Sequence, residues 1–156
     1  MSERKQLKPG DKLPDISGIN ETGEKINLSD FKGNKLIVFF YPADMTPGCI
    51  NEVCNLRDNY AELKEAGYTL LGVSTDGASK HQRFIDRYKL PFSLIADFDK
   101  LWVNAFGVYG PKTFMGRLFQ GTHRVTFVAD EQGVIEQVID KVKTKDHAGQ
   151  ILEAIS

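Results

Sequence analysis

The continuous apolar run KLIVFFYP at residues 35–42 constrains the fold of this chain more than any other segment. An unbroken apolar strand must be buried on both faces, as happens where helices cover the two sides of a sheet. YTLLGVSTD at 68–76 has the same character, and PFSLIAD at 91–97 indicates a third, shorter strand. RVTFVAD and GVIEQVID, which are joined by the turn residues 130–133, indicate a β-hairpin. The sequence therefore predicts a central β-sheet.

Between these strands, apolar residues recur at steps of three or four, the period of an amphipathic helix. We predict one helix from Cys49 to Ala66, a second over 79–89 with Ser79 as its cap, and a C-terminal helix with Thr144 as its cap. This order of elements predicts an α/β fold, with a mixed central β-sheet flanked by helices. The length of 156 residues fits one domain, 1–156.

Charge and apolar content argue against several classes of function. The chain has 20 Lys and Arg against 21 Asp and Glu, so we expect no nucleic acid partner and no binding to anionic lipid. The polar start contains no apolar segment of signal-peptide length. The longest apolar run is also far shorter than the ~20 residues that span a bilayer. We therefore expect a soluble chain in the cytoplasm.

The two cysteines, Cys49 and Cys54, lie close together at a C-x₄-C spacing. This spacing fits neither a C-x-x-C redox motif nor a known zinc site, and three scattered histidines do not complete a ligand set. Three interpretations remain at this point. The cysteines are inert buried thiols, half of a metal site, or a redox pair.

The position of Cys49 favours the redox interpretation. Chemistry collects where a strand of an open sheet ends and a helix begins, and a stiff turn containing Pro42 and Thr46 places Cys49 there. Unpaired amide groups and the macrodipole at a helix N-terminus favour the thiolate, the reactive form of cysteine. Arg57 and Arg124 are candidates for a nearby cation. The Thr46 hydroxyl is a candidate hydrogen-bond partner of the sulfur.

The segment FYPADMTPGCINEVCNLRD closely resembles the active-site segment of peroxiredoxins of the bacterioferritin-comigratory or Q-type group. The resemblance continues in GVSTDGASKHQRF, PFSLIAD, KTFMGRLFQGTHRVTFVADEQGVI and KTKDHAGQILEAI, and so covers nearly the whole chain. It implies a thioredoxin-like fold and the reduction of hydrogen peroxide and organic hydroperoxides, without a metal, flavin or nucleotide cofactor. It also implies thioredoxin or another dithiol as reductant, and a monomer.

The resemblance also assigns roles to individual residues. Cys49 matches the peroxidatic cysteine and Cys54 the resolving cysteine. Thr46 and Pro42 match the active-site companions of the peroxidatic cysteine, and Arg124 matches an arginine contributed by a later strand. One departure is Ile50, at a position where these proteins usually carry Thr; it bears on substrate fit and not on the chemistry.

The spacing of the two cysteines predicts a structural switch. In an intact α-helix, residues five apart have Cα atoms about 8.6 Å apart. A disulfide requires a Cα separation below about 7 Å and converging Cβ vectors. The helix must therefore unwind before Cys54 can condense with a Cys49 sulfenic acid.

Two rival functions use the same residues. A thiol–disulfide oxidoreductase acting on proteins is expected to carry C-x-x-C after Trp or Pro, which this chain lacks. A redox-sensing or chaperone-like binding protein would use the switch without turnover.

Other residues have less specific interpretations. His81 is expected at the edge of the core, and His147 in solvent. His123 is either at the rim of the pocket or without a role there. Residues 109–117 are either a pocket-covering loop, a docking surface for the reductant, or a solvated connection.

Overall fold

The computed structural model describes residues 5–155, with the backbone alone at Phe114. Residues 1–4 and 156 of the predicted domain lie outside this range. The strands are β1 Ser17–Ile19, β2 Lys25–Asn27, β3 Lys35–Phe40, β4 Tyr68–Ser74, β5 Ser93–Ala96, β6 Tyr109–Phe114, β7 Arg117–Thr122, β8 Val125–Ala129 and β9 Ile135–Ile139. The helices are α1 Pro47–Asp58, α2 Tyr60–Glu65, α3 Ala78–Tyr88, α4 Leu101–Ala105 and α5 His147–Ile155, with a 3₁₀ turn at Leu28–Phe31.

The central sheet is mixed, as the sequence predicts. Its strand order is β5-β4-β3-β8-β9; β5, β4 and β3 are parallel, and β8 and β9 are antiparallel to their neighbours. β1 and β2 form a separate two-stranded sheet, and β6 and β7 form another. The hairpin predicted between RVTFVAD and GVIEQVID is confirmed as β8–β9.

Apolar side chains of β3 fill a core on each face of the sheet. Alternate residues of a strand point to opposite faces. Ile37 and Phe39 belong to the core that also holds Cys49 and residues of α1, α3 and α5. Val38 and Phe40 belong to the second core, which packs against α4. The uninterrupted apolar run is therefore explained by burial on both sides.

Helix boundaries differ from the predictions in three places. The helix expected from Cys49 to Ala66 is divided at Asn59, whose backbone is not helical and whose side-chain amide donates to the Asn55 carbonyl. The cap of α3 is Gly77 and not Ser79. Thr144 does not cap the last helix, because Lys145 and Asp146 separate it from the first helical residue.

The segment 109–117 is not a loop. It forms β6 and the turn into β7, and this hairpin pairs over six residues of each strand. Its Gly and Pro residues hide the strand pattern in the sequence. Within residues 5–155, no helix has both the length and the apolar character needed to cross a membrane.

Candidate active site

Cys49 lies in the first turn of α1, immediately beyond the carboxyl end of β3. Thr46 is the N-cap residue, and Pro47 takes the first helical position, where its fixed φ suits the helix and its missing N–H is not needed. Met45 has a φ of 67°, in the left-handed region, and turns the chain from the strand into the helix. Cys49 is fully buried, and both it and Cys54 are free thiols.

Arg124 connects a neighbouring strand to this turn. It directly precedes β8, which runs antiparallel to β3 with Val125 opposite Phe40, so its side chain reaches the start of α1. The guanidinium Nη1 donates to Cys49 Sγ at 3.4 Å. Gly48 leaves room for this contact, since a Cβ there would lie 3.2 Å from Arg124 Nη2. The structure thus brings the predicted cation to the predicted thiol.

Glu52 is a site residue that the sequence analysis missed. It lies one turn after Cys49 on the same helix face, is fully buried, and accepts a hydrogen bond from Arg124 Nη1 at 2.6 Å. Its other carboxylate oxygen has no hydrogen-bond partner among the described residues. The sequence contained a signal for this position. Cys49, Glu52 and Leu56 are spaced by three and four residues, so Glu52 lies on the apolar face of the helix.

Burial controls the protonation of Glu52. It raises the pKa of this carboxyl to about 7, although the neighbouring Arg124 acts to lower it. Desolvation outweighs the attraction because only one carboxylate oxygen is hydrogen-bonded. A carboxyl group that exchanges its proton near neutral pH therefore shares Arg124 with the Cys49 sulfur.

The prediction that His147 is solvated is wrong. Its side chain is fully buried against Glu52, with Nε2 3.7 Å from the unpartnered carboxylate oxygen. Nδ1–H donates to Gln150 Oε1 at 3.0 Å, and the Thr126 hydroxyl donates to Nε2 at 2.7 Å. Burial lowers the pKa of His147 to about 4, so a neutral ring faces Glu52. Arg124 is thus the cation that Glu52 contacts.

Arg57 lies near Cys54 and is not the cation found beside Cys49. Its Nη1 donates to the Tyr88 carbonyl at 2.6 Å, and its Nε forms an ion pair with Asp58 at 2.9 Å. Cys54 is partly buried, and burial raises the pKa of its thiol, an effect that the Arg57 charge opposes. Arg124 is therefore the arginine beside Cys49, and Arg57 is the arginine near Cys54.

Thr46 and Pro42 lie in the loop between β3 and α1. The Thr46 hydroxyl donates to the Ala43 carbonyl at 2.9 Å, a hydrogen bond within the loop. Its oxygen retains lone pairs that can accept from a bound ligand. Pro42 is half-buried at the point where the chain leaves β3.

The β6–β7 hairpin brings Lys112 within electrostatic range of Arg124 and Cys49. Lys112 Nζ donates to the Thr122 carbonyl at 2.8 Å. Partial burial, and then the Arg124 charge, lower the pKa of Lys112, whereas Cys49 acts to raise it. Residues 109–117 are a strand and a turn and not a loop, and their role in covering the pocket, in docking the reductant or as a solvated connection stays a prediction.

The remaining histidines have structural partners. The expectation for His81 is confirmed, since it is buried with both ring nitrogens hydrogen-bonded. His123 Nε2 lies 3.0 Å from the Pro111 carbonyl. Among residues 5–155, one group has the composition and spacing of metal ligands, namely Asp44, Asp76 and His81.

The chain is similar to known proteins over most of its length. The profile of the AhpC/TSA family matches residues 9–138. Peroxiredoxin Bcp of Escherichia coli K12 is 46% identical over 146 residues, 94% of each chain. Peroxiredoxin Bcp of Bacillus subtilis is 38% identical over 94% of this chain and 93% of its own.

Solved structures give the same result. The bacterioferritin comigratory protein of Xanthomonas campestris superimposes with a TM-score of 0.86 at 30% identity, covering 98% of this chain and 97% of its own. A mutant of PrxQ from Xylella fastidiosa gives a TM-score of 0.90 at 27% identity, covering 97% and 96%. The predicted thioredoxin-like fold is confirmed.

The chain therefore belongs to the AhpC/TSA family. Its relatives and its two cysteines further define it as a peroxiredoxin of the Bcp or Q group, an enzyme that reduces peroxides through a thiol.

Proposed function

We propose that the Cys49 thiolate reduces hydrogen peroxide and organic hydroperoxides, that Cys54 resolves the resulting sulfenic acid, and that thioredoxin or a similar dithiol restores both thiols. The observation that carries the proposal is the contact of Arg124 with both Cys49 Sγ and Glu52. A fixed cation beside a buried sulfur stabilises the charge that develops during peroxide cleavage.

In the first step, the thiolate sulfur attacks the nearer oxygen of the peroxide. An S–O bond forms while the O–O bond breaks, and the departing alkoxide or hydroxide takes up a proton to leave as alcohol or water. Cys49 becomes a sulfenic acid. Arg124 is assigned to the departing oxygen and to the sulfur, and Thr46, with backbone amides of the first turn, to the bound peroxide. Pro42 is assigned to the wall of the site beside Cys49.

In the second step, the Cys54 thiolate attacks the sulfenic sulfur. The S–S bond forms, the S–O bond breaks, and hydroxide leaves as water after protonation. Both cysteines lie within α1, so this step requires unwinding of the helix around Cys49. The external dithiol then reduces the disulfide by exchange and is itself oxidised to a disulfide.

The proposal extends to the chain as a whole. Two cores on one central sheet support a single domain, 1–156. The edge strands β5 and β9 are short, and Asn20 forms a β-bridge opposite Ile95 of β5. Short or covered edges discourage pairing with a second chain, which supports a monomer. The return of both cysteines to thiols requires a reducing compartment, which supports the cytoplasm. Sedimentation of the reduced and oxidised protein tests the monomer.

The alkyl peroxide reduction attributed to the Xanthomonas campestris relative supports the substrate class. Steady-state oxidation of NADPH in the presence of thioredoxin and thioredoxin reductase tests the cycle, with hydrogen peroxide and tert-butyl hydroperoxide as substrates. We expect many turnovers per protein molecule. A single turnover would indicate a redox sensor instead. Reduction of insulin disulfides without peroxide consumption would indicate a thiol–disulfide oxidoreductase.

A further inference from the structure

A buried hydrogen-bond network holds the loop that leads to Cys49. Asp44 lies in this loop, three residues before α1, and its side chain is fully buried. One carboxylate oxygen accepts from the Tyr41 hydroxyl at 2.6 Å, and the other lies 2.6 Å from His81 Nδ1. The backbone N–H of Asp44 donates to Asp76 at 2.7 Å. One residue thus connects the loop to β3, to α3 and to the end of β4.

The network fixes one proton between Asp44 and His81. The Ile95 carbonyl can only accept, so His81 Nε2, at 2.8 Å from it, carries a hydrogen. Burial, and then the Asp44 charge, raise the pKa of Tyr41, which keeps its hydroxyl proton and donates it. The 2.6 Å contact between His81 and Asp44 therefore needs one further proton, held as an imidazolium–carboxylate pair or as a carboxylic acid.

The groups around the pair are themselves satisfied. Asp76 accepts from the Ser74 hydroxyl at 2.8 Å and forms an ion pair with Lys80 at 3.1 Å. The Asp44 carboxylate oxygens and both ring nitrogens of His81 have protein partners, so the group is a closed hydrogen-bond network. Its position, adjacent to Met45, indicates what it does.

Met45 requires such an anchor. It follows Asp44 directly and has a φ of 67°, a conformation that non-glycine residues hold only when their surroundings enforce it. This residue sets the direction in which the chain enters α1. Without the Asp44 contacts, Met45 is free to relax to negative φ, and the first turn of the helix then loses its place beside Arg124.

We propose that Asp44, paired with His81, is a positioning residue: it anchors the fixed end of the switch and favours the folded first turn of α1 over the unwound form. The inference rests on the proposed function, because the two forms serve different steps. The folded turn is needed for attack on peroxide, and the unwound form is needed for disulfide formation. Loss of the anchor should therefore change the two rate constants in opposite directions.

The test separates the two steps by rapid quench and mass spectrometry, with hydrogen peroxide as substrate. For Asp44→Ala we expect sulfenic acid formation to slow by about fivefold and its conversion to the disulfide to accelerate by about threefold, since each rate follows the population of its competent form. Asp44→Asn should restore both rates. Its amide oxygen still accepts from Tyr41, and its NH₂ donates to a neutral His81.

Asp97→Ala is the matched control. Asp97 is also a buried carboxylate, but it accepts from the amides of Trp102 and Val103 at the start of α4. We expect this variant to lose stability without the opposite changes in the two rates. If Asp44→Ala does not fold, Tyr41→Phe can replace it, because it removes the hydrogen bond from the Tyr41 hydroxyl to Asp44. We expect the two rate constants to change in the same directions as in Asp44→Ala, but by less.

Three results would overturn the inference: both steps slowing together in Asp44→Ala, the same split in Asp97→Ala, or an Asp44→Asn variant as impaired as Asp44→Ala. Wild-type protein that forms neither sulfenic acid nor disulfide would instead contradict the proposed function itself. The two failures are therefore distinguishable.

Discussion

The two cysteines occupy the same helix and yet have different surroundings. Cys49 lies in the first turn, fully buried, with its sulfur 3.4 Å from the Arg124 guanidinium. Cys54 lies in the middle of the helix, partly exposed, where burial raises the pKa of its thiol and Arg57 only partly opposes that effect. Arg57 is itself paired with Asp58 and with the Tyr88 carbonyl.

This difference supports the proposed order of the two thiols. A sulfur that meets peroxide first needs an enclosed pocket and a cation committed to it. A sulfur that waits for a sulfenic acid needs access and must remain unreactive toward peroxide, for which a raised thiol pKa is suitable. Under the proposed function, the helix holds each cysteine in the surroundings that its step needs, and it also keeps them apart until it unwinds.

The largest effect is expected from exchanging each sulfur for oxygen. Cys49→Ser should abolish peroxide consumption, because serine cannot be oxidised by peroxide in this way. Cys54→Ser should react once and accumulate sulfenic acid, which mass spectrometry after trapping with dimedone detects. Consumption of peroxide by Cys49→Ser at the wild-type rate would reverse the assignment.

A smaller effect is expected from the two arginines. Arg124→Met should slow peroxide attack by about tenfold, or about 1.4 kcal/mol in the activation barrier, because the sulfur and the departing oxygen lose their cation. Arg57→Met is the matched control and should leave attack within about twofold. Stopped-flow mixing of reduced protein with peroxide measures both. Equal losses in the two variants would show that proximity to Cys49 is not what matters.

The smallest change in reactivity is expected for Glu52→Gln, because Gln still accepts from Arg124. Its main effect concerns stability. The folded pKa of Glu52 is raised from 4.5 to about 7, so the folded state holds a proton that the unfolded state loses between these values. This group alone should lower the free energy of unfolding by about 3 kcal/mol as pH rises from 4.5 to 7.

Urea unfolding of the reduced protein at several pH values measures this effect. His147, whose pKa is lowered from 6.5 to about 4, contributes in the opposite direction over pH 4 to 6.5, so the comparison is between wild type and Glu52→Gln. The wild type should lose more stability than the variant as pH rises. Parallel curves for the two proteins would show that folding does not change the pKa of Glu52.

Several features of the fold and of the surroundings of Cys49 could be predicted from the sequence. The apolar run at 35–42 indicated the doubly covered strand, and the turn before Cys49 indicated a helix N-terminus. Arg124 was one of two candidate cations for Cys49, and only the family resemblance distinguished it from Arg57, because β8 lies beside β3 in space and distant from it in sequence. The structure then supplied the 3.4 Å contact.

The sequence could not predict which polar side chains are buried. Glu52 is a residue of a type that is usually exposed, and the position of His147 in the first turn of the last helix led to the expectation that it is solvated. Their burial depends on Arg124, Thr126 and Gln150, which lie on other elements or later in the chain. The β6–β7 hairpin was missed for a different reason: its Gly and Pro residues resemble those of loops.

Amide hydrogen exchange of reduced and oxidised protein tests the central claim most directly. The Cys49–Cys54 disulfide cannot form in an intact helix, so exchange across residues 48–57 should become much faster on oxidation, while β3 at Lys35–Phe40 stays protected. Unwinding also removes Val53 from the core, where a fully buried side chain contributes about 1.5–3 kcal/mol, so the oxidised protein should be less stable than the reduced protein. Full protection of residues 48–57 in the oxidised protein would contradict the account, because the two cysteines would then have joined without any switch.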